Sequence, residues 1–151
     1  MELKDKLSCN TQNEIKQYFF NACAKNNLED VSILLSNNYK LSIEMDDFMA
    51  IRTACMFGSL EVLKYLYESD KIKKNINIHA KNDAPFRMAT RMGKYDILEY
   101  LIFEQNIEET KEIKDYLFKN PNKVVSAMFK ARTLNAQLVF DFEHKTNKAK
   151  L

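Results

Sequence analysis

Along the chain the apolar residues fall in short stripes at helical spacing, separated by polar turns. Ile15, Tyr18, Phe19 and Ala22 recur every three or four residues, which predicts a helix from Asn13 to about Lys25. Asn26 and Asn27 break it, and Leu28, Val31, Leu34 and Leu35 then line a second helix that stops at Ser36-Asn37-Asn38. Ile43 opens a second pair. Asp46 and Asp47 are placed to cap a helix that starts near Phe48, with Ile51, Ala54 and Cys55 on its packed side. Gly58 ends that helix, and Ser59 is placed to cap the next one, whose stripe is Val62, Leu63, Leu66 and Tyr67. Glu61, Lys64 and Glu68 lie outside the stripe, where they can pair along the helix. In the third pair Ile78 takes the place of Ile43 and Asp83 that of the cap, with Pro85 in the first helical turn, where its missing N–H costs nothing. Phe86 and Ala89 face inward, Gly93 turns the chain, and Ile97, Leu98, Leu101 and Ile102 form the outer stripe.

The three pairs are copies of one unit. Ala22, Ala54 and Ala89 are each followed four residues later by a turn former, Asn26, Gly58 or Gly93. A large apolar or aromatic residue follows (Leu28, Leu60, Tyr95), then at once an acid (Glu29, Glu61, Asp96). The chain contains only two glycines, and both fall on this slot. A turn between helices usually needs a positive φ, which Gly adopts freely and Asn tolerates best among the rest. A period of about 33 residues marks an array of two-helix units, and the small Ala lets the next helix come close.

From Asn13 to Asn106 these units resemble ankyrin repeats. The resemblance rests on the small Ala of the inner helix, the Gly turn and the outer helix Leu-Glu-Val-Leu-Lys-Tyr-Leu. Their wording, IHAKND before APFRMA with NDAPFR in place of TPLH, is more similar to the divergent repeats of large DNA viruses and intracellular bacteria. Arg52 and Arg87 sit where the family usually has His. The resemblance implies an all-α fold, an ankyrin-type α-solenoid of about three helix-turn-helix repeats over 13–42, 43–77 and 78–106. A lead-in, 1–12, precedes them. From Ile107 the repeat fades into a degenerate fourth repeat or helical cap over 107–143, because the last repeat of an array needs a cover. Ile113, Tyr116 and Leu117 predict one helix there, and Val124, Val125, Met128 and Phe129 another after Asn120-Pro121. Leu134 to Phe142 fits a helix or a short strand, and residues 144–151 read as a disordered tail.

Composition narrows the function mainly by exclusion. At 151 residues the chain is one domain by length. A net charge of +2 offers no field for nucleic acid or an acidic membrane, and Lys71, Lys73, Lys74 and the tail lysines read as solvated loop. The extra residues of the longer second period fall in that lysine loop. No signal peptide and no apolar run long enough to span a membrane is visible. Cys9, Cys23 and Cys55 lack any CxxC pairing and read as reduced thiols of a cytoplasmic protein, or of a host cytosol if the source is a pathogen. Three scattered Cys and two His, His79 and His144, lack metal-ligand spacing, and no catalytic or phosphate-cradling motif occurs. The expectation is no cofactor, no metal and no enzyme.

What remains is recognition. Arg52 and Arg87 either bind an acidic partner or, as a repeated position serving the repeat, hydrogen-bond backbone carbonyls of a neighbouring hairpin. Tyr65 and Tyr100 lie off the outer stripes and either form a second binding surface or, as the default, cover the gap between outer helices. Met56, Phe57, Arg91 and Met92 end the inner helices at positions matching the family's partner-facing slots. They are either a binding surface, or packed under the C-terminal segment or buried between repeats. With Phe48 and Lys81 they form the candidate protein-binding set on the concave face of the inner helices. The bet is a non-catalytic protein–protein interaction module, acting on a host target or an enzyme it inhibits. The alternative is an adaptor or regulatory subunit whose segment 107–151 is the effector, with the repeats as scaffold.

Overall fold

The structure is a computed structural model that describes residues 7, 11–36, 39–69 and 76–148, and of 139–148 the backbone alone. Most of the lead-in, Cys9, the lysine loop and residues 149–151 lie outside the described residues. Every regular element among the described residues is helical: α1 (Gln12–Ala24), α2 (Leu28–Ser36), α3 (Met45–Phe57), α4 (Leu60–Glu68), α5 (Ala80–Arg91), α6 (Tyr95–Glu99), a π-helical turn (Tyr100–Glu104), α7 (Lys111–Lys119) and α8 (Lys123–Lys148). The fold is an all-α repeat solenoid. The chain divides into two compact units, 1–97 and 98–151.

In the first unit the inner helices α1, α3 and α5 pack each on the next, and the outer helix α2 packs on α4. Burial explains this order. Phe19, Ile51 and Phe86 occupy one slot of successive inner helices and are wholly shielded from solvent. Val31, Leu34, Val62, Leu63, Leu66 and Ile97 close the core from the outer side. Ala22, Ala54 and Ala89 are buried as well, and no side chain larger than a methyl separates the helices there. Cys23 and Cys55 share a neighbouring slot, both buried and unpaired. Burial pushes the Cys23 thiol up to about 12 and raises that of Cys55. Both are neutral packing groups with no thiolate to react.

Each helix pair is closed by one left-handed residue: Asn26 at φ 56°, Gly58 at 80° and Gly93 at 63°. These turns also seat each repeat on the next. Asn26 Oδ1 accepts the backbone N–H of Val62 in the first turn of α4, at 3.1 Å. Ser59 does not cap α4, as its position in sequence predicts; its hydroxyl donates instead to Ala24 O at the end of α1, at 3.1 Å. Neighbouring repeats thus satisfy each other's orphan helix-end groups. Asn27 caps α2 by accepting from Asp30 N–H at 3.1 Å, while the Asp30 carboxylate receives the Tyr18 hydroxyl at 2.7 Å and ties α1 to α2. Thr11 and Glu14 form a reciprocal capping box at the start of α1.

In the second unit Ile113, Val125 and Phe129 are buried. Thr110 caps α7 through Ile113 N–H at 3.1 Å. Arg132 Nη1 donates to Ile107 O at 2.6 Å and to Ile102 O at 3.3 Å, with its guanidinium 5.1 Å from the Phe129 ring centre. Tyr100 is 1% exposed, contrary to its placement off the stripe. The helix widens to π geometry over Tyr100–Glu104. Its hydroxyl accepts from Gln105 Nε2 at 2.9 Å. Leu134 to Phe142 is helix, and α8 continues to Lys148, past residue 143, where the sequence reading ends ordered structure. No Gly or Pro stands between Asn122 and Lys148 to stop it.

Two stability predictions follow from the shared slots. Gly58→Val and Gly93→Val each lower stability by about 1–3 kcal/mol, and Gly58→Asn by under about 1 kcal/mol because Asn26 already fills that slot. Denaturant unfolding of the three variants checks the ordering. Ala54→Leu overpacks the inner-helix contact at a cost of about 1–3 kcal/mol, read as a lower melting temperature.

Candidate protein-binding face

Both α3 and α5 begin with three consecutive left-handed residues, Asp46-Asp47-Phe48 and Lys81-Asn82-Asp83, with φ between 50° and 61°. One such residue costs about 1–2 kcal/mol for most side chains, less for Asp and Asn, so three in a row must be held by something. An arginine on the following helical turn holds them. Arg52 donates from Nε to Asp47 O at 3.1 Å and from Nη2 to Asp46 O at 2.6 Å. Arg87 repeats the geometry 35 residues on, with Nε to Asn82 O at 2.8 Å and Nη2 to Lys81 O at 3.0 Å. The two carbonyls match the planar fork of a guanidinium. Each arginine thus clamps the entry turn of its own repeat, and not a neighbouring hairpin.

The same turns explain why Asp46, Asp47 and Asp83 do not cap helices. An N-cap residue takes extended backbone, and these three are left-handed, with no capping hydrogen bond from a side chain at either helix start. Asp46 instead pairs with Lys16 of the preceding repeat at 2.6 Å, and Asp47 with Lys81 of the following one at 2.8 Å. Lys81 holds the Asp47 carboxyl below its ordinary range. Asp83 is buried and pairs with His79 Nδ1. His79 is thereby a structural partner of the third entry turn.

Of the six binding residues read from the sequence, four stand at the far end of the inner helices. Phe57 is 51% and Met92 47% exposed, Arg91 is exposed and Met56 half-buried. Phe57 and Met92 occupy equivalent positions on α3 and at the end of α5, two helices packed side by side. Phe48 and Lys81 belong to the entry turns at the other end, and Phe48 lies nine residues from Phe57, about 13 Å along the helix axis. The structure therefore splits the set into two groups. Sequence reasoning passed over Tyr95, 41% exposed, whose ring lies near Gly93. Leu28 and Leu60 are half-buried in that slot, and a bulkier aromatic there reaches further into solvent. It also passed over Phe118, Val124, Leu134 and Leu138, all exposed in the second unit. Among the described residues no group of His, Cys, Asp and Glu could hold a metal ion. No helix among them is long and apolar enough to cross a membrane.

If the clamp holds the entry turns, Arg52→Lys and Arg87→Lys each lower stability by about 1–2 kcal/mol, because an ammonium cannot bridge both carbonyls. Arg91→Lys, at an exposed position, shifts it by no more than about 0.5 kcal/mol. Urea titration of the three proteins side by side measures the contrast.

A family model of ankyrin repeats, in three copies, matches residues 19–115. No curated protein and no solved structure matches the chain significantly. With its buried alanine slots, left-handed turns and repeat-on-repeat packing, the chain belongs to the ankyrin repeat family, whose repeats are generally non-catalytic modules for protein–protein interaction.

Proposed function

We propose that the chain is a non-catalytic recognition module that binds its protein partner through the ends of the inner helices, at Met56, Phe57, Arg91 and Met92, with Tyr95 at the edge. The observation that carries this reading is the exposure of Phe57 and Met92 at equivalent positions of packed neighbouring helices. Folding does not require large apolar side chains there. Lys25, also exposed, holds the same slot in the first repeat. Two apolar anchors between Lys25 and Arg91 suit a partner surface that is apolar at its centre and acidic at its rim. Phe48 and Lys81 are assigned to the entry turns, with no part in binding. Buried unpaired thiols at Cys23 and Cys55 are in keeping with work in a reducing compartment such as the cytoplasm.

The alternative, in which 107–151 is the effector and the repeats are scaffold, draws on the exposed Phe118, Leu134 and Leu138. One experiment separates the two. The full chain, its Phe57→Ala/Met92→Ala variant and its Leu134→Glu/Leu138→Glu variant are used as baits in lysate from the source or host cell. Proteins retained by the wild type and lost with Phe57→Ala/Met92→Ala, at unchanged circular dichroism, support the inner-helix face; the pair is expected to weaken binding by about 2 kcal/mol or more. Loss only with the second variant points to the C-terminal segment.

A further inference from the structure

Helix α8 carries an apolar stripe that nothing among the described residues covers. Val124, Ala127, Ala131, Leu134 and Leu138 are spaced 3, 4, 3 and 4 residues apart, so they share one face. All five are exposed, Leu134 at 60% and Leu138 at 58%. The packed face is the opposite one, with Val125 and Phe129 buried and Arg132 tied to Ile102 and Ile107. Residues 133–138 are exposed as well. An exposed helical stretch of this length gains stability from packing against a second helix.

We infer that this stripe is a self-association surface, on which α8 of a second copy packs antiparallel. The order of side-chain sizes selects both occupant and direction. The two alanines come first along the stripe and the two leucines second. Antiparallel pairing sets Ala127 opposite Leu138 of the second copy and Ala131 opposite its Leu134. The two-fold axis repeats both layers, which gives four Ala–Leu layers of equal width. Parallel pairing would set Ala on Ala and Leu on Leu, leaving gaps and bulges along one seam. A groove of about 290 Å³ borders Ala127, the residue set opposite Leu138 of the second copy, and is lined by Leu117, Pro121 and Ala127 together with polar residues, Lys123, Ser126 and Lys130 among them. The stripe is about 21 Å long, shorter than a standard interface requires, so the dimer is weak and depends on concentration. The stripe shares no residue with the inner-helix face.

Sedimentation equilibrium of the full chain over roughly 1–500 µM should show a reversible monomer–dimer equilibrium. Leu134→Glu/Leu138→Glu should weaken it by at least about tenfold with unchanged circular dichroism, since both side chains are exposed. Direction is read by oxidising a mixture of Ala127→Cys and Leu138→Cys chains in a Cys9→Ser background, where disulfides between the two kinds of chain should dominate. A monomer at every concentration, a dimer indifferent to the double variant, or a predominance of Ala127→Cys homodisulfides would each overturn the proposal.

Discussion

The close approach of neighbouring inner helices is the constraint on which the repeat stack depends. No pair of helices here has enough apolar surface to form a core of its own. Phe19, Ile51 and Phe86 become buried only because the next inner helix comes near, and Ala22, Ala54 and Ala89 let it do so. That approach carries the ends of the helices together as well. Asn26 can then accept from Val62 N–H and Ser59 can donate to Ala24 O, each across a repeat boundary. Polar groups that an isolated helix pair would leave to water become part of the contact.

Proximity also determines how the charged residues are used. Lys16, Asp46, Asp47 and Lys81 link three successive repeats along their entry turns, and the arginines hold those turns in shape from within each repeat. Exposed ion pairs contribute little one at a time, and their main effect here is to set the register of one repeat on the next. The clamp differs in kind. It holds six residues in a backbone region that Phe48 and Lys81 above all would occupy reluctantly, and its two copies differ by at most 0.4 Å in their hydrogen-bond lengths.

Exposed large apolar side chains among the described residues include two groups, at the ends of α3 and α5 and along α8. The first lies on repeats packed each on the next, which keeps the ordering cost of binding low. The second lies on a helix whose residues 133–138 are all exposed. Both follow from a one-dimensional architecture, in which each element touches only its neighbours and leaves whole faces open.

Much of the repeat was readable from residue spacing alone. The three buried alanines, the helix stripes and the left-handed turns at Asn26, Gly58 and Gly93 all follow from local rules, a helical period and the conformational freedom of Gly and Asn. The entry turns were not readable, because Asp46, Asp47 and Asp83 look like helix caps until an arginine five or six residues on takes the carbonyls behind them. Ser59 was misjudged for a similar reason: its partner, Ala24, is 35 residues away and near only once the repeats stack. Tyr100, read as covering the gap between outer helices, is buried more fully than its place off the stripe implies. Which apolar residues remained exposed was likewise settled by the tertiary structure, since a stripe such as Ala127-Ala131-Leu134-Leu138 reads the same whether or not another helix covers it. The sequence by itself determined the pieces and their period, for those depend on neighbours along the chain. Only the folded molecule decided which polar groups meet and which apolar faces stay open, because both depend on distances between residues that the sequence keeps far apart.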